Sequence, residues 1–266
     1  MSMADNSNET EQLQSRTEIL DRLKASLVNP DTRFKVPELE VARIAGPEPV
    51  TDVDTASNLP ALFGTMLDIV GGSHEILDNV DTVPNAVIRH FENLRNTRTE
   101  DLLSFDRILS WDPDLLGIPK LGDALSGAGI RLTVPPDLGE FECREDASSI
   151  AVGITGTDAA LASTGTLVLG TGPGRSRAAS LLPLHHIVLV STSRIHPTIE
   201  AWMAAVREEG RLNETFRTGN QCTLVTGPSK SADIELTLTL GVHGPRTVHA
   251  IVYQDEIASG TEFLPD

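Results

Sequence analysis

Hydrophobic residues fall into short runs broken by glycine and proline, and no run approaches the 18 residues a membrane helix needs. Over residues 11–28, Leu13, Ile19, Leu20, Leu23 and Leu27 gather on one side of a helix, and Glu18–Arg22 is a favourable i,i+4 pair. That helix either packs on the body of the protein or docks a partner. Residues 1–10 are polar and read as disordered, and residues 29–60 hold five prolines and many acids, the composition of a connecting arm. From residue 59 the pattern tightens. LPALFGTMLDIV (59–70) is a helix closed by Gly71–Gly72, Ser73–Leu77 a short strand, and 82–97 a helix with Pro84 early in it. Strand-like stretches at Leu102–Ile108 and Gly129–Val134 flank a weaker helical patch at Lys120–Leu125.

In the second half, Ala159–Ser163 and Thr166–Leu169 are separated by Thr164–Gly165, a hairpin pattern. HIVLV (186–190) is a near-continuous apolar run, as for a strand buried on both faces. Residues 197–209 predict a helix opened by Pro197, with Trp202 and Val206 four apart, and Cys222–Thr226 and Val248–Tyr253 predict strands. ADIELTLTL (232–240) alternates like a strand, yet a parallel strand at 248 needs a crossover before it, so a helix is expected there. Strands alternating with helices predict an α/β fold with a three-layer, mostly parallel sheet. The expected domains are an N-terminal tail, helix and arm over 1–58, an α/β domain over 59–254 and a tail over 255–266.

Composition narrows the function classes. The 266-residue chain carries a net charge of −17, most of it before residue 151, and only 4% aromatics. An acidic surface with few stacking rings argues against nucleic acid and anionic membranes as partners. Two cysteines, Cys143 and Cys222, are too few for an iron–sulfur cluster or a structural zinc site, so no cofactor or metal is expected in this chain. The polar, acidic N-terminus lacks the apolar stretch of a secretory signal, and a cytoplasmic location is expected.

Three segments are candidates for chemistry. GTGPGRSR (170–177) follows an apolar strand; Gly172, Gly174, Arg175 and Ser176 could cradle an anion, although the segment is neither a Walker loop nor a dinucleotide fingerprint. TGPSKSADIE (226–235) places Gly227, Ser229, Lys230 and Ser231 at a strand end, followed by Asp233 and Glu235 as acid/base candidates, which share a face only if the segment is a strand. GVHGP (241–245) leaves His243 uncrowded between glycines, as suits proton transfer. Each has a plainer reading: a surface turn, a helix cap, a loop tied down by its histidine. Asp158, after Thr155–Gly156–Thr157, caps a turn or faces the same pocket. His185 and His186 are neighbours on a strand, so they point to opposite faces and cannot chelate one ion.

Taken together, VGITGTDAALASTGTLVL (152–169), GPGRSRAASLLPLHHIVLV (172–190) and TGPSKSADIELTLTLGVHGPRTVHAIVY (226–253) resemble the LUD domain of the lactate-utilisation protein C family. The resemblance implies a fold similar to the phosphosugar-isomerase and CoA-transferase (NagB/RpiA-like) group. It also implies a part in oxidising L-lactate to pyruvate beside partner subunits that carry iron–sulfur clusters, with this chain as the cluster-free subunit. The positions matching family motifs are Thr164, Gly165 and Thr166, then Arg175, Ser176 and Ser180, then Gly227, Ser229, Asp233 and Glu235, then His243. Two other readings stand beside it. One is a stand-alone enzyme acting on a carboxylate, phosphorylated or CoA-linked metabolite; the other is a non-catalytic assembly protein.

Overall fold

The computed structural model describes residues 16–25, 58–97, 103–135, 141–211, 215, 221–232, 238–241 and 243–255. The chain divides into two units, residues 1–48 and 49–266. In the first, residues 16–25 form a helix (α1) within the span expected to be helical, with Ile19, Leu20 and Leu23 exposed. The 1–10 tail, most of the 29–60 arm and the end of the chain after residue 255 lie outside the described residues.

The second unit is built on a six-stranded, wholly parallel sheet. Its strands are β1 (Ser73–Leu77), β2 (Ser104–Ser110), β3 (Arg131–Thr133), β4 (Ile150–Thr155), β7 (His185–Ser191) and β12 (Thr247–Tyr253). They lie in the order β1-β12-β7-β4-β2-β3. Every residue of β4 and all but the first of β7 and β12 are buried, so these strands read as continuous apolar runs rather than alternating ones. Helices cover both faces. On one, α3 (Val83–Thr97) buries Val83, Ala86, Val87 and Phe91 at helical spacing. On the other, α7 (Ala178–Leu181) presses on β4 at Gly153, where a Cβ would come within 1.9 Å of the Ala179 carbonyl oxygen. The expected α/β class with a mostly parallel sheet is the one observed.

A second sheet holds β5 (Ala159–Leu161), β6 (Thr166–Thr171), β8 (Ile195–His196) and β9 (Gln221–Val225) in the order β8-β5-β6-β9. The β5–β6 hairpin forms with the expected turn at Thr164–Gly165. Its outer side packs on Trp202 and Val206 of α8 (Ile199–Glu208), which Thr198 caps through Ala201 N–H. The remaining helices are α2 (Leu59–Ile69), α4 (Pro113–Leu116), α5 (Leu121–Gly127) and α6 (Phe141–Ser148).

Two expectations change. Residues 230–232 and 238–240 are not helical; they form an antiparallel pair, β10 (Lys230–Ala232) with β11 (Leu238–Leu240), while 233–237 lie outside the described residues. The strict alternation was the better guide there. The need for a crossover before β12 had outweighed it, and an antiparallel strand pair occupies that stretch instead. The central strand β4 was not anticipated, because Gly153 and the threonine–glycine steps after it read as a turn-rich stretch.

His185 and His186 do point to opposite faces. His185 sits 6.2 Å from the Phe105 ring and its Nδ1 is 2.9 Å from Thr247 Oγ1, whereas His186 is buried on the α7 side, 2.9 Å from Thr155 Oγ1. On the α3 side, His90 stacks on His249 with ring centroids 3.8 Å apart and planes within 6°. Burial pushes both imidazoles down to about 4, helped by mutual repulsion with neighbouring histidines. Native protein holding them neutral binds fewer protons than the unfolded chain between the ordinary histidine value of about 6.5 and pH 4. Their contribution is complete above that ordinary value and drains as pH falls through the window. Moving from pH 7.5 to 5 should therefore lower the unfolding free energy by on the order of 3 kcal/mol beyond what other groups do. Urea denaturation of His90→Phe should show a visibly flatter dependence; an unchanged slope would contradict the assignment.

Candidate functional site

Chain order and register bring the carboxyl ends of β4, β7 and β12 together. Ser191 is the partner of Tyr253 across the β7–β12 pair, and Thr155 of Val188 across β4–β7. Just beyond these ends lies a pocket of about 240 Å3, lined on its polar side by Thr157, Ser191, Ser193, Arg194, Tyr253 and Asp255. Leu189 and the 115–117 segment supply the apolar wall. Ligand sites of open α/β sheets form in this position, where strands release their chain into loops.

Each polar group is fixed by its neighbours. Ser191 caps a short 3-10 turn, Thr192–Arg194, by accepting from Ser193 N–H at 3.2 Å. Its hydroxyl and that of Ser193 both donate to Asp255 Oδ2. Asp255 is held in reach because Gln254 N–H donates to Leu77 O at 3.1 Å, adding one more rung beside β1. Arg194 Nη1 donates to the Thr157 carbonyl. Thr157 is itself anchored by its hydroxyl, which donates to Ala159 O and Val168 O. Tyr253 is only 8% exposed. Burial, and secondarily the Asp255 carboxylate, pushes its phenol above the ordinary tyrosine value, while Arg194 works in the opposite direction. A carboxylate, a guanidinium and a protonated phenol thus face one small space.

None of the residues singled out from the sequence lines this pocket. The structure gathers them into two other groups. In the first, Thr164 and Thr166 hydroxyls lie 2.7 Å apart, and Thr166 is 2.8 Å from the Thr226 hydroxyl. Gly165 meets the α2 backbone so closely that a Cβ would lie 2.4 Å from Leu67 N. Gly227 packs on Val70, and Lys230 Nζ donates to Val70 O at 2.6 Å. Ser229 N–H donates to Pro245 O and its carbonyl accepts from Gly241 N–H, tying the GVHGP loop to the β10 strand; Ser231 pairs with Thr239. His243 is exposed on that loop, and Asp233 and Glu235 lie outside the described residues.

The second group is the glycine-rich segment. Gly172 and Arg175 exchange backbone hydrogen bonds around a Pro173–Gly174 turn in which Gly174 has φ +70°. Arg175 Nη1 reaches Asp158 Oδ1 at 2.7 Å and its guanidinium lies 5.3 Å from the Trp111 ring centre. The Ser176 backbone carbonyl accepts from Trp111 Nε1 at 3.2 Å and the Ser180 hydroxyl donates to Arg177 O at 3.0 Å. The pocket residues were missed because they sit at the frayed ends of strong strand signals: STSR after HHIVLV, and QD after HAIVY. Polar and charged residues directly after an apolar run are the signal that would have found them.

The fold and pocket define an open parallel α/β domain with a small polar pocket at its strand ends. The model of the LUD domain matches residues 79–253, and the chain belongs to that family. It is 39% identical over 104 residues to lactate utilization protein C of Geobacillus sp. (strain WCH70), covering 39% of this chain and 42% of that one. To the protein of the same name from Shouchella clausii it is 32% identical over 158 residues, 59% of this chain and 67% of that one. The chain thus spans between about two fifths and two thirds of these curated relatives. A crystal structure of a DUF162 family protein from Deinococcus radiodurans aligns over 73% of this chain and 96% of its own, at 21% identity and TM-score 0.47. No described helix is long and apolar enough to cross a membrane.

Tyr253 is the single tyrosine of the sequence, so absorbance near the phenolate band reads it alone. The phenol should titrate above the ordinary value of about 10. Asp255→Asn should bring the midpoint down part of the way, and Arg194→Ala should move it up. A midpoint indifferent to both would remove the electrostatic coupling described for the pocket.

Proposed function

We propose that this chain works in lactate utilisation as the cluster-free subunit of a cytoplasmic system that oxidises L-lactate to pyruvate, binding the hydroxy acid in the strand-end pocket. The relatives' shared name supports the role. The observation that carries the binding reading is that Arg194 and Asp255 line the same small polar space. A short 2-hydroxy acid has one carboxylate and one hydroxyl. Arg194 offers a planar donor to the carboxylate, and Asp255 accepts the hydroxyl hydrogen in place of a serine. Leu115, Leu116 and Leu189 leave room for the methyl group.

Competing ligand classes fit less well. The pocket is smaller than the range of about 300–1,000 Å3 that drug-sized ligands occupy, which disfavours CoA or a dinucleotide. The Asp255 carboxylate opposes a doubly charged phosphate. Oxidising lactate releases two electrons and two protons. Cys143 and Cys222 lie on α6 and β9, and two thiols cannot complete a cluster that needs about four. The two electrons and the proton of the broken Cα–H bond therefore pass to the iron–sulfur partner subunits in this proposal, and this chain's own groups bind, orient and accept the hydroxyl proton.

A thermal-shift titration of the purified chain tests the binding step. L-lactate at a hundred times its dissociation constant should stabilise the protein by about 2.7 kcal/mol. Arg194→Ala should remove the shift and glucose 6-phosphate should give none. No shift with lactate or pyruvate at any concentration would defeat the proposal.

A further inference from the structure

Resting on that pocket reading, we propose that Arg175 and Asp158 are positioning residues: their ion pair clamps the glycine-rich turn onto two adjoining segments of the pocket lining, 115–117 and 156–157, and so fixes the shape of that side. Three observations meet at this pair. The turn is fastened to the first wall by Asp112 N–H, which donates to Gly174 O at 2.8 Å at the very start of α4. Gly174 lies so close to this wall that a Cβ there would come within 2.8 Å of Leu115 Cδ1 and 3.1 Å of Asp112 Cβ. Leu115, Leu116 and Gly117 then line the pocket.

The second wall is Gly156–Thr157, and Asp158 follows it directly in the chain. Asp158 accepts from Gly170 N–H at 2.5 Å through one oxygen and from Arg175 through the other. Its backbone N–H donates to Val168 O at 2.9 Å, so the carboxylate is held on the hairpin frame. A Cβ on Gly156 would come within 3.5 Å of the Trp111 ring, and Arg175 lies over the same ring. The guanidinium therefore joins Asp158 on one side and Trp111, the residue before Asp112, on the other. An arginine suits the task because one planar group can stack and donate at once, which lysine cannot do. Arg175 does not line the pocket, and in this proposal it serves it through the lining segments.

Both partners are about a quarter to a third exposed, so the pair adds little to global stability, and its loss is felt locally. Hydrogen exchange of the full-length chain, without ligand, reads this directly. In Arg175→Gln and in the milder Asp158→Asn, amides of 111–117 should exchange about tenfold faster while the strands of the large sheet keep their wild-type rates. Arg175→Lys, which restores the charge but not the stacking, should fall between. The same variants should weaken L-lactate binding by about tenfold without abolishing it, at a melting temperature close to wild type. Unchanged exchange at 111–117 in both variants overturns the inference whatever happens to lactate. Complete loss of lactate binding with unchanged exchange would make Arg175 a direct contact and overturn it too. Faster exchange at 111–117 in a chain that never binds lactate would uphold the clamp and defeat only the ligand proposal.

Discussion

The backbone hydrogen bonds that join β4, β7 and β12 lie in the driest part of the molecule, and the rest of the architecture hangs from them. Because water is excluded from both faces, an unmade backbone bond there would be expensive, and the register is fixed. Fixed register has a geometric consequence: the chains leave the sheet side by side. Ser191 faces Tyr253 across the ladder, and the residues just beyond them, free of ladder bonds, can turn their polar groups toward one another. Buried apolar strands and an exposed polar pocket are two ends of the same construction.

The glycine-rich and threonine-rich motifs take on a different meaning in this frame. Gly165 and Gly174 sit where a side chain would strike a neighbouring segment, and the threonine hydroxyls at 164, 166 and 226 satisfy one another. These motifs hold the hairpin, α2 and the first turn of α4 in place around the sheet. Residue types that can bind an anion are also those that allow close backbone approach, and sequence alone does not separate the two uses.

Legibility followed the strength of local signals. The β5–β6 hairpin, β7 and β12 could be read because each is largely apolar and bounded by turn residues. β4 could not, since its glycine and the TGT step after it imitate a loop, although all six of its residues are buried. The strand pair at 230–240 was misjudged because a topological argument was set against a clean two-residue alternation. At the site, Arg175 and Asp158 were both noticed but as separate features; their pairing depends on a 17-residue separation that only the hairpin closes. Ser193, Arg194 and Asp255 show in the sequence only as polar residues following apolar runs, and become a group only when the strand ends meet.

The central claim is that these strand ends, and not the glycine-rich turn, receive the small acid. A crystal structure of the chain soaked with L-lactate tests it most directly. The account predicts density in the strand-end pocket with the carboxylate against Arg194 and the hydroxyl against Asp255, the Arg175–Asp158 pair intact. Density seated on the 170–177 turn with Arg175 swung away from Asp158, or bound in the 226–245 loops beside His243, would contradict it.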